Sequence, residues 1–358
     1  MRPDVAANRT LLTVALVLTA TACDAGLSEP EETLAPSAAL YLEAALDIME
    51  FNSVRMFEID WPTFREQTIA DAGTASNTFE TYSAIEDALA RIGDGHSFFR
   101  PAQGAPAVAP APTTGIVGLI PGLGSRAQVD EPGPGDPSAN LLEGGIGYVH
   151  VPQFDGGGEE GNDLAAGYHR LIEGIDTLGV TCRWVVDLRG NRGGNMWPMV
   201  AGVGPILGEG DIGAFFYPDS ISTPWFYEAG EAGVEGIPFV LTEDPYTLES
   251  PLPFVAVLTD TLTASSGEAV AVAFRAREGA RSFGEPTWGV STANAAFPLS
   301  DGAVIFLTVA TLADRSGEVY GAELVPDSLL TGGEKTGDVE TDAVLAAAAG
   351  WLLEQTCG

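Results

Sequence analysis

The sequence is 358 residues long and strongly acidic, with 50 aspartates and glutamates against 16 lysines and arginines and a formal net charge of −34. This charge argues against nucleic acid and anionic lipid as partners, because both are themselves negatively charged. The length allows one large hydrophobic core with a smaller module attached to it.

Residues 1–23 have the pattern of a secretion signal. Arg2 and Arg9 precede an apolar run that is too short to span a bilayer, and the small residues before Cys23 resemble a bacterial lipobox. An ordinary signal with a chance cysteine is the alternative. Residues 24–36 are charged and contain proline, which is typical of a tether. We therefore expect an exported cell-envelope lipoprotein, on the periplasmic or outer surface, held to the membrane through lipidated Cys23.

Residues 37–100 are predicted to form an N-terminal helical module. Apolar residues recur at helical spacing through 37–71 and 79–92. The module ends in GDGHSFFRP, which places His96 in a glycine-flanked loop. Residues 101–143 are rich in proline and glycine and are predicted to be a linker.

Residues 144–335 are predicted to form the core of the protein. Strand patterns at 145–154, 183–190 and 254–260 alternate with helical patterns at 162–179 and 265–278. This alternation predicts an α/β fold with crossover connections. Later strands at 293–300 and 303–314 indicate an added antiparallel part, and residues 336–358 are predicted to contain a C-terminal helix. The segment 209–251 fits neither pattern and is a candidate cap over a site.

Two cysteines remain after Cys23, namely Cys182 and Cys357. In an exported protein they can pair and tie the chain end to a core strand, or stay free thiols, and the sequence leaves both open. No cysteine–histidine cluster has the spacing of a metal site, so we expect neither a metal nor a cofactor.

Ser265 lies where the strand pattern of 254–260 gives way to a helix. Ser265-x-x-Glu268 is a helix capping box, so a structural role alone would explain the serine. At a strand-to-helix turn, however, the helix dipole and outward N–H groups favour the negative charge that develops in acyl transfer. A serine there also needs a base to become a nucleophile.

Two other segments carry residues suited to that chemistry. The glycines of DLRGNRGGN at 187–195 let the backbone turn sharply and present N–H groups, although a tight structural turn is the alternative. His96 lies in a loop from which an imidazole can reach another element. His150 lies in a strand pattern and His169 on a predicted helix, and both positions favour structural or exposed histidines.

The ordered motifs DGHSFF, GIGYVHVPQF, DLRGNRGG, TASSGE and GEPTWG resemble those of the C-terminal processing peptidases, also called tail-specific proteases. The resemblance covers about residues 80–330 and implies a crotonase-like and Clp-protease-like α/β core that acts on peptide or protein substrates. It implies Ser265 as the nucleophile. It also implies an oxyanion hole made by the N–H of Gly193 or Gly194 and the N–H of Ser266.

The base is the first departure from the family pattern. Val290 stands where many members have a lysine, and the single lysine, Lys335, lies beyond the core. The sequence therefore resembles the tricorn-type branch, in which a histidine is the base, and His96 is the candidate. The serine and glutamate that this branch adds correspond to Gly95 and about Tyr320 here. The nearby Glu318 and Glu323 are left unassigned.

Substrate capture is the second departure. The residues from 100 to 144 are too few and too rich in proline and glycine for the PDZ domain that family members usually carry. Specificity is then expected from another part of the chain, with 209–251 as the candidate.

We expect an exported serine peptidase that works through Ser265 and His96. A non-catalytic member that binds peptides or apolar ligands in the same cleft is the alternative. A crotonase-type acyl-CoA enzyme shares the fold but conflicts with export, because CoA is a cytosolic cofactor.

Overall fold

The computed structural model of the protein describes residues 33–104, 136–179, 182–332 and 335–357. The predicted signal peptide with Cys23, and most of the predicted tether and linker, lie outside these ranges. No helix within them is both long and apolar enough to cross a bilayer.

Three α-helices form the N-terminal part, and short connections join them: α1 (Pro36–Asn52), α2 (Trp61–Ala72) and α3 (Tyr82–Ile92), with a 3-10 turn at Thr78–Thr81 before α3. Proline occupies the first turn of both α1 and α2, where its missing N–H costs no helical hydrogen bond. Helix α3 ends at Gly93, whose left-handed conformation stops the helix and leads the chain into the loop of His96 and then strand β1 (Phe98–Arg100).

The remaining elements follow in chain order. They are β2 (Ser138–Leu142), β3 (Ile146–His150), α4 (Glu159–Asp176), β4 (Arg183–Asp187), α5 (Met196–Gly202), α6 (Gly204–Leu207), β5 (Gly210–Phe216), β6 (Ser222–Glu228), β7 (Glu231–Val234), β8 (Ile237–Leu241), β9 (Phe254–Thr259), α7 (Ser266–Phe274), β10 (Ala280–Gly284), β11 (Thr292–Pro298), β12 (Val304–Ala313), β13 (Ser328–Leu329) and α8 (Ala343–Leu353).

One sheet has six strands in the order β13-β10-β9-β4-β3-β2, all parallel except β2 at the edge. Its central strands are covered on both faces, which explains why their sequences are unbroken apolar runs. Val149, Val186 and Val257 pack on the side of α4, α5 and α7. Their neighbours Tyr148, Val185 and Leu258 pack against α8 on the other side. The predicted α/β class is confirmed.

The second sheet has seven antiparallel strands in the order β1-β12-β5-β6-β7-β8, with β11 also paired to β12. The predicted cap segment 209–251 supplies its strands β5 to β8. Ile305 and Leu307 of β12 share one hydrophobic core with α1, α2 and α3. The helical module therefore packs on the sheet that segment 209–251 helps to build, and this arrangement fixes β1 and the His96 loop beside the α/β core.

The carboxyl end of β4 carries a buried network of charges. Arg189 donates to both carboxylate oxygens of Asp187 and to both of Asp342, at 2.6–3.1 Å. The Tyr148 hydroxyl also donates to Asp187 at 2.8 Å. Asp342 caps the first turn of α8 through the Leu345 N–H. The network thus joins the beginning of the glycine loop to the C-terminal helix.

The sulfur atoms of Cys182 and Cys357 are bonded in the structure, with their Cα atoms 5.8 Å apart. Arg183 supports the same junction by donating to the Gln355 carbonyl at 2.8 Å. The end of the chain is therefore tied to the start of the buried strand β4.

Candidate active site

Ser265 occupies the turn between β9 and α7 with a strained backbone. Its φ is +52° and its ψ is −115°, a region that residues with a side chain rarely adopt. Strain of this kind persists only where the surrounding structure holds it, and it is concentrated at functional sites. The turn places Ser265 directly before the first N–H groups of α7.

Glu268 holds the Ser265 turn in place. Its carboxylate is fully buried and accepts the Ser265 N–H at 2.8 Å, which is one half of the predicted capping box. It also accepts the Thr287 hydroxyl at 2.5 Å and the N–H groups of Gly289 and Val290 at 3.0 Å each. Burial raises the pKa of Glu268 to about 7, against the opposing effect of these hydrogen bonds. Val290, at the family's lysine position, thus contributes its backbone to this anchor.

His96 is 4% exposed and is held on two sides. Its Nδ1 lies 2.7 Å from the Thr292 hydroxyl on β11, and its carbonyl accepts the Asn294 side chain at 2.8 Å. Asp94 accepts the N–H groups of His96 and Ser97, which shapes the loop. Burial lowers the pKa of His96 to about 4, although the negative charge of Asp94 acts in the opposite direction.

His96 and Ser265 line the same cleft, which has a volume of about 570 Å³. The cleft lies between the two sheets, with Phe98 and Phe306 contributed by the antiparallel sheet and Ser266 and Ala269 by α7. Trp197 of α5 and Phe215 of β5 complete an aromatic side. Among the described residues, no cluster of three or more histidine, cysteine or acidic side chains is arranged to hold a metal ion.

The glycine loop lies against Ser265. A Cβ atom added to Gly193 would come within 2.9 Å of the Ser265 Cβ, and the φ of Gly193 is +111°, so this position requires glycine. The Gly193 N–H donates to the Asn191 side chain at 2.9 Å. Of the two predicted glycine donors, Gly193 therefore has its N–H bonded within the loop.

Gly194 differs from Gly193 in its hydrogen bonds. The Gly193 carbonyl and the Asn195 N–H, on either side of it, bond to Phe154. The Gly194 carbonyl instead accepts the Ser266 hydroxyl at 2.6 Å. No hydrogen bond joins the Gly194 N–H to an acceptor in the described part of the chain.

The other basic residues considered from the sequence lie elsewhere. His169 is buried between α5 and the loop after β8, where its Nδ1 accepts the Tyr246 N–H and its Nε2 donates to the Ala201 carbonyl, both at 2.9 Å. His150 of β3 lies opposite Asp187 of β4 in the register of these two parallel strands. Lys335 forms an ion pair with Asp260 beside the glycine loop. None of the three lines the cleft.

Sequence reasoning missed the partner of His96. Neither Glu318 nor Glu323 lines the cleft, and the Thr292 hydroxyl occupies the position beside Nδ1. A lone threonine at the start of an apolar strand carries no signal for this role. Only the placement of β11 beside the His96 loop brings the two side chains together.

Residues 145–329 match the model of peptidase family S41. A nisin-resistance protein from Lactococcus lactis is 26% identical over 305 residues, which cover 85% of this chain and 87% of that protein. A carboxyl-terminal-processing protease from Synechocystis is 28% identical over 206 residues, covering 57% of this chain and 40% of the relative.

Solved structures agree with this assignment at the level of the fold. A lipoprotein from Streptococcus agalactiae superposes with a TM-score of 0.66 at 21% identity, over 89% of this chain and 97% of that one. The photosystem II D1 C-terminal processing protease gives a TM-score of 0.56 at 18% identity, over 85% of this chain and 96% of the other. The predicted processing-peptidase relationship and fold are confirmed, and the chain belongs to peptidase family S41.

Proposed function

We propose that this protein is an exported serine peptidase that hydrolyses peptide bonds by acyl transfer, with Ser265 as nucleophile and His96 as base. The observation that carries the proposal is that a strained strand-to-helix serine and a buried loop histidine, far apart in sequence, line one cleft. Membership of family S41 supports a peptide or protein substrate. Because one relative is named a nisin-resistance protein, nisin is a reasonable first substrate to test.

The proposed reaction begins when His96 Nε2 takes the proton of the Ser265 hydroxyl. The serine oxygen then attacks the substrate carbonyl, and the N–H groups of Gly194 and Ser266 stabilise the negative oxygen that forms. Protonated His96 next gives its proton to the leaving amine. A water molecule, activated by the same imidazole, finally hydrolyses the acyl-enzyme and restores Ser265.

Thr292 acts in this proposal as a positioning residue. If His96 Nδ1–H donates to the Thr292 hydroxyl, Nε2 carries no proton and is free to accept one from Ser265. A threonine is uncharged, so it orients the ring without stabilising the imidazolium as a carboxylate would.

Thr292→Val is expected to lower kcat by about tenfold to a hundredfold. The substitution removes the hydrogen bond that orients the His96 ring, so a smaller fraction of the protein has the productive ring orientation and tautomer. Thr292→Ser keeps the hydroxyl and is expected to restore most of the rate. Steady-state kinetics with a fluorogenic peptide measure both. A purely structural threonine would instead give two variants with equal rates, or a loss that follows their melting temperatures.

A fluorophosphonate probe tests the assignment of the nucleophile directly. The purified wild-type chain is expected to be labelled covalently on Ser265, and Ser265→Ala to remain unlabelled. Labelling of another serine, or of Ser265→Ala to the same extent, would contradict the proposal.

A non-catalytic peptide-binding role is the second candidate. The low pKa of His96, about 4, makes it a weak base, and this specific feature favours the alternative. A wild-type chain that binds peptides but neither reacts with the probe nor hydrolyses them would support this second function.

Export and anchoring through lipidated Cys23 are part of the proposal. They are supported by the signal-like residues 1–23 and by the fold shared with a streptococcal lipoprotein. Labelling with a radioactive fatty acid in cells is expected for the wild type and absent from Cys23→Ser. Equal labelling of the two would count against the anchor.

A further inference from the structure

The aromatic side of the cleft continues onto the outer surface. The Trp197 and Phe215 rings, which line the cleft with Ser265, have centroids 6.2 Å apart. The centroid of the Phe239 ring on β8 lies 5.1 Å from that of Trp197. Phe239 is 51% exposed, so a chain of touching rings leads from the cleft to solvent.

Phe239 is part of an apolar surface that we call the β8 stripe, consisting of Ile237, Phe239 and Leu241. The three side chains are 61%, 51% and 49% exposed, while Val240 next to Phe239 and Leu241 is buried in the core. A half-buried strand usually carries polar side chains on its outer face. Three exposed apolar side chains within five residues of this edge strand mark an interaction surface.

The backbone of β8 is poorly suited to pairing with another strand. In the described residues β8 pairs with β7 alone and forms the end of its sheet. Pro238 lacks an N–H, and the Leu241 N–H already donates to the Asn162 side chain of α4 at 3.0 Å. An occupant of the stripe therefore binds through side chains.

We infer that the β8 stripe is a docking site for apolar side chains of the peptide substrate, several residues away from the bond that is cleaved. The inference rests on the proposed function and names the substrate class: an extended peptide with apolar side chains and a net positive charge. An extended chain rises about 3.3 Å per residue, so about four residues cross the rings between cleft and stripe. The chain's charge of −34 favours cationic peptides.

Peptide binding to catalytically silent protein tests the inference. The protein is Ser265→Ala, and fluorescence anisotropy reports the Kd of a labelled, apolar and cationic peptide of about ten residues, long enough to span cleft and stripe. Ile237→Ser and Phe239→Ser in this background are each expected to raise that Kd about fivefold to tenfold. The Kd of a peptide of about four residues, which fills the cleft alone, is expected to change less than about twofold in Ile237→Ser.

Leu353→Ser is the matched control, since Leu353 is also 51% exposed but lies on α8, across the parallel sheet from α5 and α7. It is expected to leave both Kd values unchanged. Equal Kd values in all variants, or no binding of the long peptide, would overturn the inference. A wild-type dimer that Ile237→Ser converts to a monomer would assign the stripe to a second copy and would also overturn it. If the long peptide binds with the expected Kd values but the wild-type protein does not hydrolyse it, only the proposed peptidase function is rejected.

Discussion

Replacing either Ser265 or His96 by alanine is expected to lower kcat/KM for peptide hydrolysis by about 10⁴-fold or more. Both residues line the cleft, and in the proposed mechanism Ser265→Ala removes the atom that forms the acyl-enzyme and His96→Ala removes the group that accepts its proton. Because the two residues act as one unit, the double variant is expected to be no slower than the slower single variant. Initial rates with a fluorogenic peptide measure all three.

Lys335→Met provides the control for the identity of the base. Lys335 pairs with Asp260 outside the cleft, so its removal is expected to change the rate by less than about tenfold. A Lys335 variant as inactive as Ser265→Ala, or a His96→Ala enzyme with near-wild-type activity, would show that the histidine is not the base.

The same pair of residues predicts the shape of the pH profile. Burial lowers the pKa of His96 from about 6.5 to about 4, so the proposed base, although weak, stays unprotonated down to about that pH. The acid limb of kcat/KM is therefore expected with an apparent pKa nearer 4 than 6.5. Since the folded value lies below the unfolded one, the stability contributed by His96 is complete above pH 6.5 and is lost as the pH falls toward 4.

Arg189→Met is expected to lower the free energy of unfolding by about 3–5 kcal/mol. Arg189 is buried between Asp187 and Asp342, and the substitution removes the cation that forms ion pairs with both buried carboxylates. The Tyr148 hydroxyl and the backbone N–H of residue 189 still donate to Asp187, and the Leu345 N–H still donates to Asp342, but none of these groups carries a charge. Urea unfolding followed by circular dichroism measures the loss.

Arg170→Met on the exposed face of α4 is the matched control, and it is expected to change stability by less than about 0.5 kcal/mol. Burial opposes ionisation of Asp342, but its hydrogen bonds and the charge of Arg189 lower its pKa overall. Stability from this network is therefore present above the unfolded pKa of the carboxyl and is lost as the pH falls through its lower folded pKa. An Arg189 variant as stable as the Arg170 control would show that the buried ion pairs add no net stability.

The α/β core could be predicted because its signals are local. Buried parallel strands read as apolar runs, and the observed strands β4 and β9 fall within the predicted ranges. The antiparallel sheet could not be predicted in the same way. Strands β5 and β12 pair across about a hundred residues, and that register depends on the packing of side chains from both segments.

The sequence by itself determined the candidate nucleophile and base. Ser265 stands at a strand-to-helix boundary within a family motif, and His96 was selected because the chain offers few alternatives. These conclusions depend on residue type and position along the chain, which the sequence contains in full.

Only the tertiary structure decided how these residues are held. The Asn191 side chain accepts the Gly193 N–H, which is why Gly194 is the proposed oxyanion donor, and β11 brings Thr292 to His96. Strand β8 places Phe239 against Trp197. Each contact joins side chains whose separation is set by the packing of whole elements, and a hydrogen bond is made or lost within a few tenths of an ångström. No local pattern of residues specifies a distance to that precision.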